Sequence, residues 1–258
     1  MNVKEIECPS GLKGVVRKLK VSDLDVFADR NLMKRGGAAL EAELASRIWQ
    51  ETVERGPYVF DGSRPPWTTD ILQGDRFYAI MQARILTRGS DYEFDITCDN
   101  PICRNKFRWG LDLEDLPVVK LPDSSREALM ADNRFMTELE ACGDKVFWAL
   151  PTGRIQKRID KYVKQHGQSL STVFAARLLG IEGQENVDFV GYMQDLDIGD
   201  FDQLAYEMER ADCGVDTSIE VECPSCARLM EQEVGFGKDF FTRDFSRTRS
   251  QGTARGQA

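Results

Sequence analysis

The chain has 258 residues, of which 41% are hydrophobic and 30% charged, with a formal net charge of −9. That is hydrocarbon enough for one large soluble domain or two small ones. The acidic balance argues against sequence-independent binding of nucleic acid over a broad positive face, and no apolar run approaches the roughly 20 residues that cross a bilayer.

The opening run KEIECPSGLKGVVRKLKVSDLDVFA reads as strand, tight turn, strand and capped helix. Residues 37–55, GAALEAELASRIWQETVER, read as a second helix. Residues 56–69 form a Gly- and Pro-rich loop carrying Tyr58, Phe60 and Trp67. Such aromatics either cover the core or anchor a partner. Gly74-Asp75 opens a helix of about four turns, with the aspartate as a cap or a favourable first-turn charge and Gly89 as the stop. The alternating run YEFDIT then leads into Cys98 and Cys103, and KFRW follows. Residues 116–129, rich in Pro, Asp and Ser, suit a linker.

Beyond it the order returns. TELEACGDKVFWALPTGRIQKRIDKYV reads as strand, turn, strand and helix, and SLSTVFAARLLG as a further helix. Gly199-Asp200 opens another helix, and TSIEVE leads into Cys223 and Cys226, with LMEQEV after them. Shifted by 125 residues, the distance from Cys98 to Cys223, Asp70 falls on Asp195, Gly74 on Gly199, Asp75 on Asp200, Gly89 on Gly214 and Asp91 on Asp216. The expected fold is therefore α+β, with two pseudo-repeated halves. Each half is a β-hairpin, helices and a Cys-knuckle hairpin, at 1–115 and 130–236, and a partly disordered arm covers 237–258.

A hairpin with two cysteines at its tip presents two thiolates on one side. Two such tips face to face make the tetrahedral four-sulfur set that structural zinc accepts. Cys98, Cys103, Cys223 and Cys226 are the expected ligands of a zinc-ribbon-like site shared by the halves, with iron as the other metal suited to four thiolates. A relic site without metal is the alternative. A disulfide fits less well, because the N-terminal run MNVKEIECPSG carries no secretory h-region. A thioredoxin-like motif is expected to open a helix, whereas LMEQEV reads as a strand. Cys8 and Cys142 sit at matching turns but are too few for a second site, and with Cys213 are expected as small turn or core residues.

His166, the single histidine, lies in a polar stretch and is expected to be solvated. No phosphate-binding glycine loop or dinucleotide fingerprint is present. The sequence therefore points away from an enzyme. At the C-terminus Phe236, Phe240, Phe241 and Phe245 precede Arg243, Arg247, Arg249 and Arg255. The phenylalanines either pack on the parent domain or order on a neighbouring subunit.

DRFYAIMQARILTRGSDYEFDITC with IC following, FAARLLGIEG, GVDTSIEVECPSC and the aromatic close GFGKDFF together resemble the T-even-type baseplate hub and hub assembly proteins of contractile-tailed bacteriophages. The resemblance covers roughly residues 5–241. Two features depart from the family's pattern: the first knuckle is long, and Ala227 stands where a glycine is common. The resemblance implies a virion or assembly role in the tail baseplate, in the particle or in the host cytoplasm. It implies contacts with other baseplate and tail hub proteins; a structural Zn2+ at the four cysteines, no membrane and no small-molecule substrate complete the expectations. The competing expectation is a zinc-ribbon regulator that binds nucleic acid, its arginine tail meeting phosphates; against it, the knuckles carry little basic charge apart from Arg104, Lys106, Arg108 and Arg228.

Overall fold

β1 (Val3–Glu7) and β2 (Lys13–Arg17) pair antiparallel through the turn Cys8-Pro9-Ser10-Gly11. Gly11 closes that turn at φ +92°, a conformation that costs a side chain but not glycine. A 3-10 segment (Val21–Phe27), α1 (Arg30–Arg35), α2 (Gly37–Ile48) and β3 (Trp49–Glu54) follow, and then α3 (Gln73–Arg88). Next come β4 (Asp91–Thr97), β5 (Lys106–Asp112), β6 (Val118–Val119) and α4 (Asp123–Ala131). β7 (Phe135–Glu138), β8 (Lys145–Trp148), α5 (Gly153–His166), α6 (Leu170–Ala175) and β9 (Leu178–Ile181) continue the chain. Then come α7 (Phe189–Asp195), α8 (Ile198–Arg210), β10 (Gly214–Val215), β11 (Ser218–Glu222), β12 (Leu229–Glu233) and α9 (Lys238–Phe241). This computed structural model describes residues 2–235 and 237–241. Phe236, Phe245 and the arginines of the tail lie outside the described residues.

The protein is mixed α+β with small antiparallel sheets. Packing divides the described residues into a larger unit, 2–89 with 117–216, and a smaller one, 90–116 with 217–235 and 237–241. This division runs across the halves expected from sequence at 1–115 and 130–236. Both knuckle hairpins, β4–β5 and β11–β12, fall in the smaller unit. Residues 116–129 are not a bare linker either, since they hold β6, which pairs with β10, and most of α4.

Two three-stranded sheets, β1-β2-β3 and β7-β8-β9, stand in the larger unit. Their third strands correct the sequence reading. The helix expected over 37–55 ends at Ile48, and the one expected over 169–180 ends at Ala175. In each case the chain turns and lays a strand on the hairpin's open edge. Trp49 shows why. It is fully buried, and it seats so closely on β2 that a Cβ on Gly14 would lie 2.1 Å from its Cζ2. The tryptophan gains a core position there that a continued helix would deny it. α3 packs against β1, β2 and α2 and buries every residue from Ala79 to Ile85. A helix buried on all sides is the centre of its unit. Gly89 ends it at φ +86°, as expected, whereas Gly214 begins β10 rather than stopping a helix.

Asp75 and Asp200 occupy the third position of α3 and of α8. Neither caps its own helix. Asp75 accepts from the Ser10 N–H (3.0 Å), the Ser10 hydroxyl and the Tyr58 hydroxyl (2.6 Å). Asp200 accepts from the N–H groups of Ala141 (2.8 Å) and Cys142 (3.0 Å). Each carboxylate thus ties its helix to the turn of the preceding hairpin, satisfying backbone donors that the turn leaves over.

Candidate metal centre

β4 and β5 run in register from Asp91↔Asp112 to Thr97↔Lys106, so residues 98–105 form the hairpin tip. β11 and β12 do the same from Ser218↔Glu233 to Glu222↔Leu229, leaving residues 223–228 as the second tip. Alternation puts Ile96, Val221 and Met230 on inner faces, where they form one cluster with Cys98 and Cys223. Phe94, Phe107, Trp109 and Ile219 pack around it. Register in the hairpins thereby fixes where the thiols emerge.

The four sulfur atoms of Cys98, Cys103, Cys223 and Cys226 all lie within 4.8 Å of one another. The two short separations run between the tips: Cys98 to Cys226 at 3.7 Å, and Cys103 to Cys223 at 3.9 Å. A tetrahedron of sulfurs about 2.3 Å from a central ion has edges of about 3.8 Å. The donor set therefore fits a metal ion. All four cysteines are free, with sulfurs far beyond the bonding distance of about 2 Å. Cys98 and Cys223 are buried, Cys103 is half-buried and Cys226 is exposed.

Backbone N–H groups organise the tips. Cys98 N–H donates to Asn105 O, Cys103 N–H to Asn100 O and Cys223 N–H to Arg228 O. The long spacing of the first tip is absorbed by an Asx turn, in which the Asn100 side chain accepts from Ile102 N–H at 3.0 Å. Arg104 and Ala227, each directly after its tip's second cysteine, have positive φ of 44° and 55°. Both tips thus close through the same left-handed step, and Arg104 and Ala227, neither of them glycine, carry its strain.

Electrostatics in the thiol state distinguishes Cys98, Cys103 and Cys223. Burial, together with the neighbouring thiols and against a backbone bond from Asn100, pushes the Cys98 pKa up to about 12. A backbone hydrogen bond at Asn105 favours ionisation of Cys103, but desolvation and the adjacent thiols outweigh it and raise that pKa. At Cys223 burial opposes ionisation, yet hydrogen bonds from the backbone at Ser225 and Cys226 prevail and lower the pKa to about 7. Of these three, Cys223 is the one whose surroundings favour the thiolate. Metal binding displaces whatever protons the thiols still hold.

Other residues flagged by the sequence fall elsewhere. Tyr58 and Trp67 are buried, the first bonded to Asp75 and the second edge-on to Trp49 at 5.1 Å between centroids. Phe240 and Phe241 are buried too, and Phe240 meets Tyr92 edge-on at 5.1 Å. These four are core residues here, not exposed anchors, because their rings already have apolar partners. Phe60 is half-buried under the Arg55 guanidinium. His166 ends α5, exposed. Cys8 and Cys213 are buried, as expected of small core residues, while Cys142 is exposed.

The sequence reading missed the Asp99–Arg228 ion pair at 2.6 Å, which joins the two tips. It also missed the Asp99 N–H contact to Met230 Sδ at 3.3 Å. Nothing in linear spacing brings residue 99 near 228. Among the described residues no helix is long and apolar enough to cross a membrane. No protein-family model, curated protein or solved structure was found to match the chain.

Proposed function

We propose that this protein is a non-enzymatic component or assembly factor of the baseplate hub of a contractile phage tail, acting through protein–protein contacts, with a structural zinc holding its knuckles. The observation that carries the non-enzymatic part is the closure of four sulfurs on one another. Four thiolates saturate tetrahedral zinc and leave no position for water or substrate. The tail assignment rests on the motifs ITCDNPIC, FAARLLGIEG and GVDTSIEVECPSC.

The internal repeat belongs to the same proposal. It is supported by the matched strand orders β1-β2-β3 and β7-β8-β9, by Asp75 and Asp200 each bonding the preceding turn, and by the shared left-handed step at Arg104 and Ala227. The regulator alternative loses ground at the knuckles. Arg108 is engaged by Glu93 and Asp95, and Arg228 by Asp99. Cations neutralised in this way offer little to phosphates.

The test is a nuclease-treated pull-down of the tagged chain from producing cells, read by mass spectrometry. Tail-tube, hub or baseplate proteins in the eluate support the proposal, and their stoichiometry separates a resident subunit from a chaperone. Polymerase or ribosomal proteins without tail proteins overturn it.

A further inference from the structure

A cleft of about 550 Å³ lies in the larger unit, along α2 and α5. Its lining carries five cations, Arg35, Arg76, Lys157, Lys161 and Lys164, against one carboxylate, Asp160. Such an excess is unexpected in a chain of net charge −9. α2 contributes only alanines to the wall, Ala38, Ala39 and Ala42, which leaves room in front of α3.

Arg76 differs from the other four cations. It is only 1% exposed. Its Nη1 donates to Trp67 O at 3.1 Å, but its buried Nε and Nη2 have no hydrogen-bond partner. Nε and Nη2 form the side-on edge of the guanidinium, the pair of parallel N–H groups that takes a carboxylate or phosphate with two bonds. Burial lowers the Arg76 pKa, and Glu41 acts against that shift. Glu41 does not satisfy the edge, and its own Oε2 is buried without a partner. A buried, charged and half-satisfied fork is costly to maintain.

We infer that this cleft binds the phosphate or carboxylate group of a small organic molecule, held by the side-on edge of Arg76 and drawn in by the lysines of α5. The volume suits such a ligand. The inference is independent of the metal centre, since all its residues belong to the larger unit.

The test is calorimetric titration of the full chain with inorganic phosphate and, separately, with succinate. At least one is expected to bind with a Kd of about 1 mM or tighter, and the tighter of the two identifies the acid group. Arg76→Lys keeps the charge but loses the fork, and is expected to weaken binding about tenfold or more. A Lys157→Ala, Lys161→Ala double variant alters exposed positions only, and is expected to weaken binding by a smaller factor. Should Arg76→Lys fail to fold, the Arg76 Nε–H resonance of the wild-type protein decides, because it must move on saturation. Absence of binding by both anions, binding indifferent to Arg76→Lys, or an unmoved Nε–H resonance each overturns the site.

Discussion

In the larger unit Trp49, Trp67, Leu12, Leu44, Ile71 and Ile80 are buried almost completely, in a unit that holds two three-stranded sheets and several helices. In the smaller unit the hairpins β4–β5 and β11–β12 share a cluster in which two of the five buried residues are cysteines. The first is the ordinary solution, hydrocarbon removed from water in bulk. The second has too little chain for that. A unit of two hairpins is marginal on its core alone, and a metal clasp is the common remedy at this size. The two regions therefore differ in what would unfold them.

The largest expected effect follows from the proposed zinc clasp. A structural zinc contributes on the order of 10 kcal/mol to folding, more than the net stability of many domains. Cys98→Ser and Cys226→Ser are each expected to release the metal and melt the smaller unit, read by metal content and calorimetry. The core of the larger unit predicts that its own transition survives. Metal and melting temperature both unchanged in the two variants would defeat the four-sulfur centre. Acid acts in the same direction, because protons compete for the thiolates. Metal release should become easier as pH falls and reverse as it rises.

The converse variant is Trp49→Ala. Removing a fully buried tryptophan is expected to cost about 3–5 kcal/mol, seen in denaturant melts, with metal content unchanged. Loss of metal in Trp49→Ala would erase the contrast between the regions.

Asp75 and Asp200 sharpen a second contrast, inside the larger unit. Burial is the main cause at Asp75 and raises its pKa despite the bonds from Ser10 and Tyr58. At Asp200 the Ala141 and Cys142 N–H bonds lower it. The folded state thus holds the Asp75 proton more tightly than the unfolded chain does, and its contribution declines as pH rises from the unfolded value of about 3.9 through the folded one. Asp200 runs the other way. Its contribution is present above about 3.9 and is lost as pH falls through its lowered folded pKa. Urea melts of Asp75→Asn and Asp200→Asn between pH 3 and 7 should remove slopes of opposite sign; equal slopes would refute the assignment. Asp75→Asn should also destabilise at neutral pH by about 1–3 kcal/mol, because the hydroxyls of Ser10 and Tyr58 lose a common acceptor.

The smallest effect concerns strain at the tips. Ala227→Gly and Arg104→Gly should each stabilise the metal-bound protein by about 1 kcal/mol, since glycine adopts positive φ freely. A loss of stability would mean that the side chains pack usefully there.

Much of this was legible in the chain. Period-two alternation with cysteines at its ends determined both knuckles and their four thiols, because a hairpin needs only local register to present its tip. Gly74-Asp75 and Gly199-Asp200 located two helix starts, although the aspartates bind distant turns rather than their own helices. Other features were decided by tertiary structure. Trp49 and Leu178 leave helical runs because an open sheet edge and a buried site await them, and neither is visible in a local window. The loop aromatics Tyr58 and Trp67 turned inward for the same reason. The pairing of the two tips, the Asp99–Arg228 bridge and the unsatisfied edge of Arg76 all depend on residues far apart in sequence meeting in space. Spacing determines what a segment can present, whereas only packing determines what it meets.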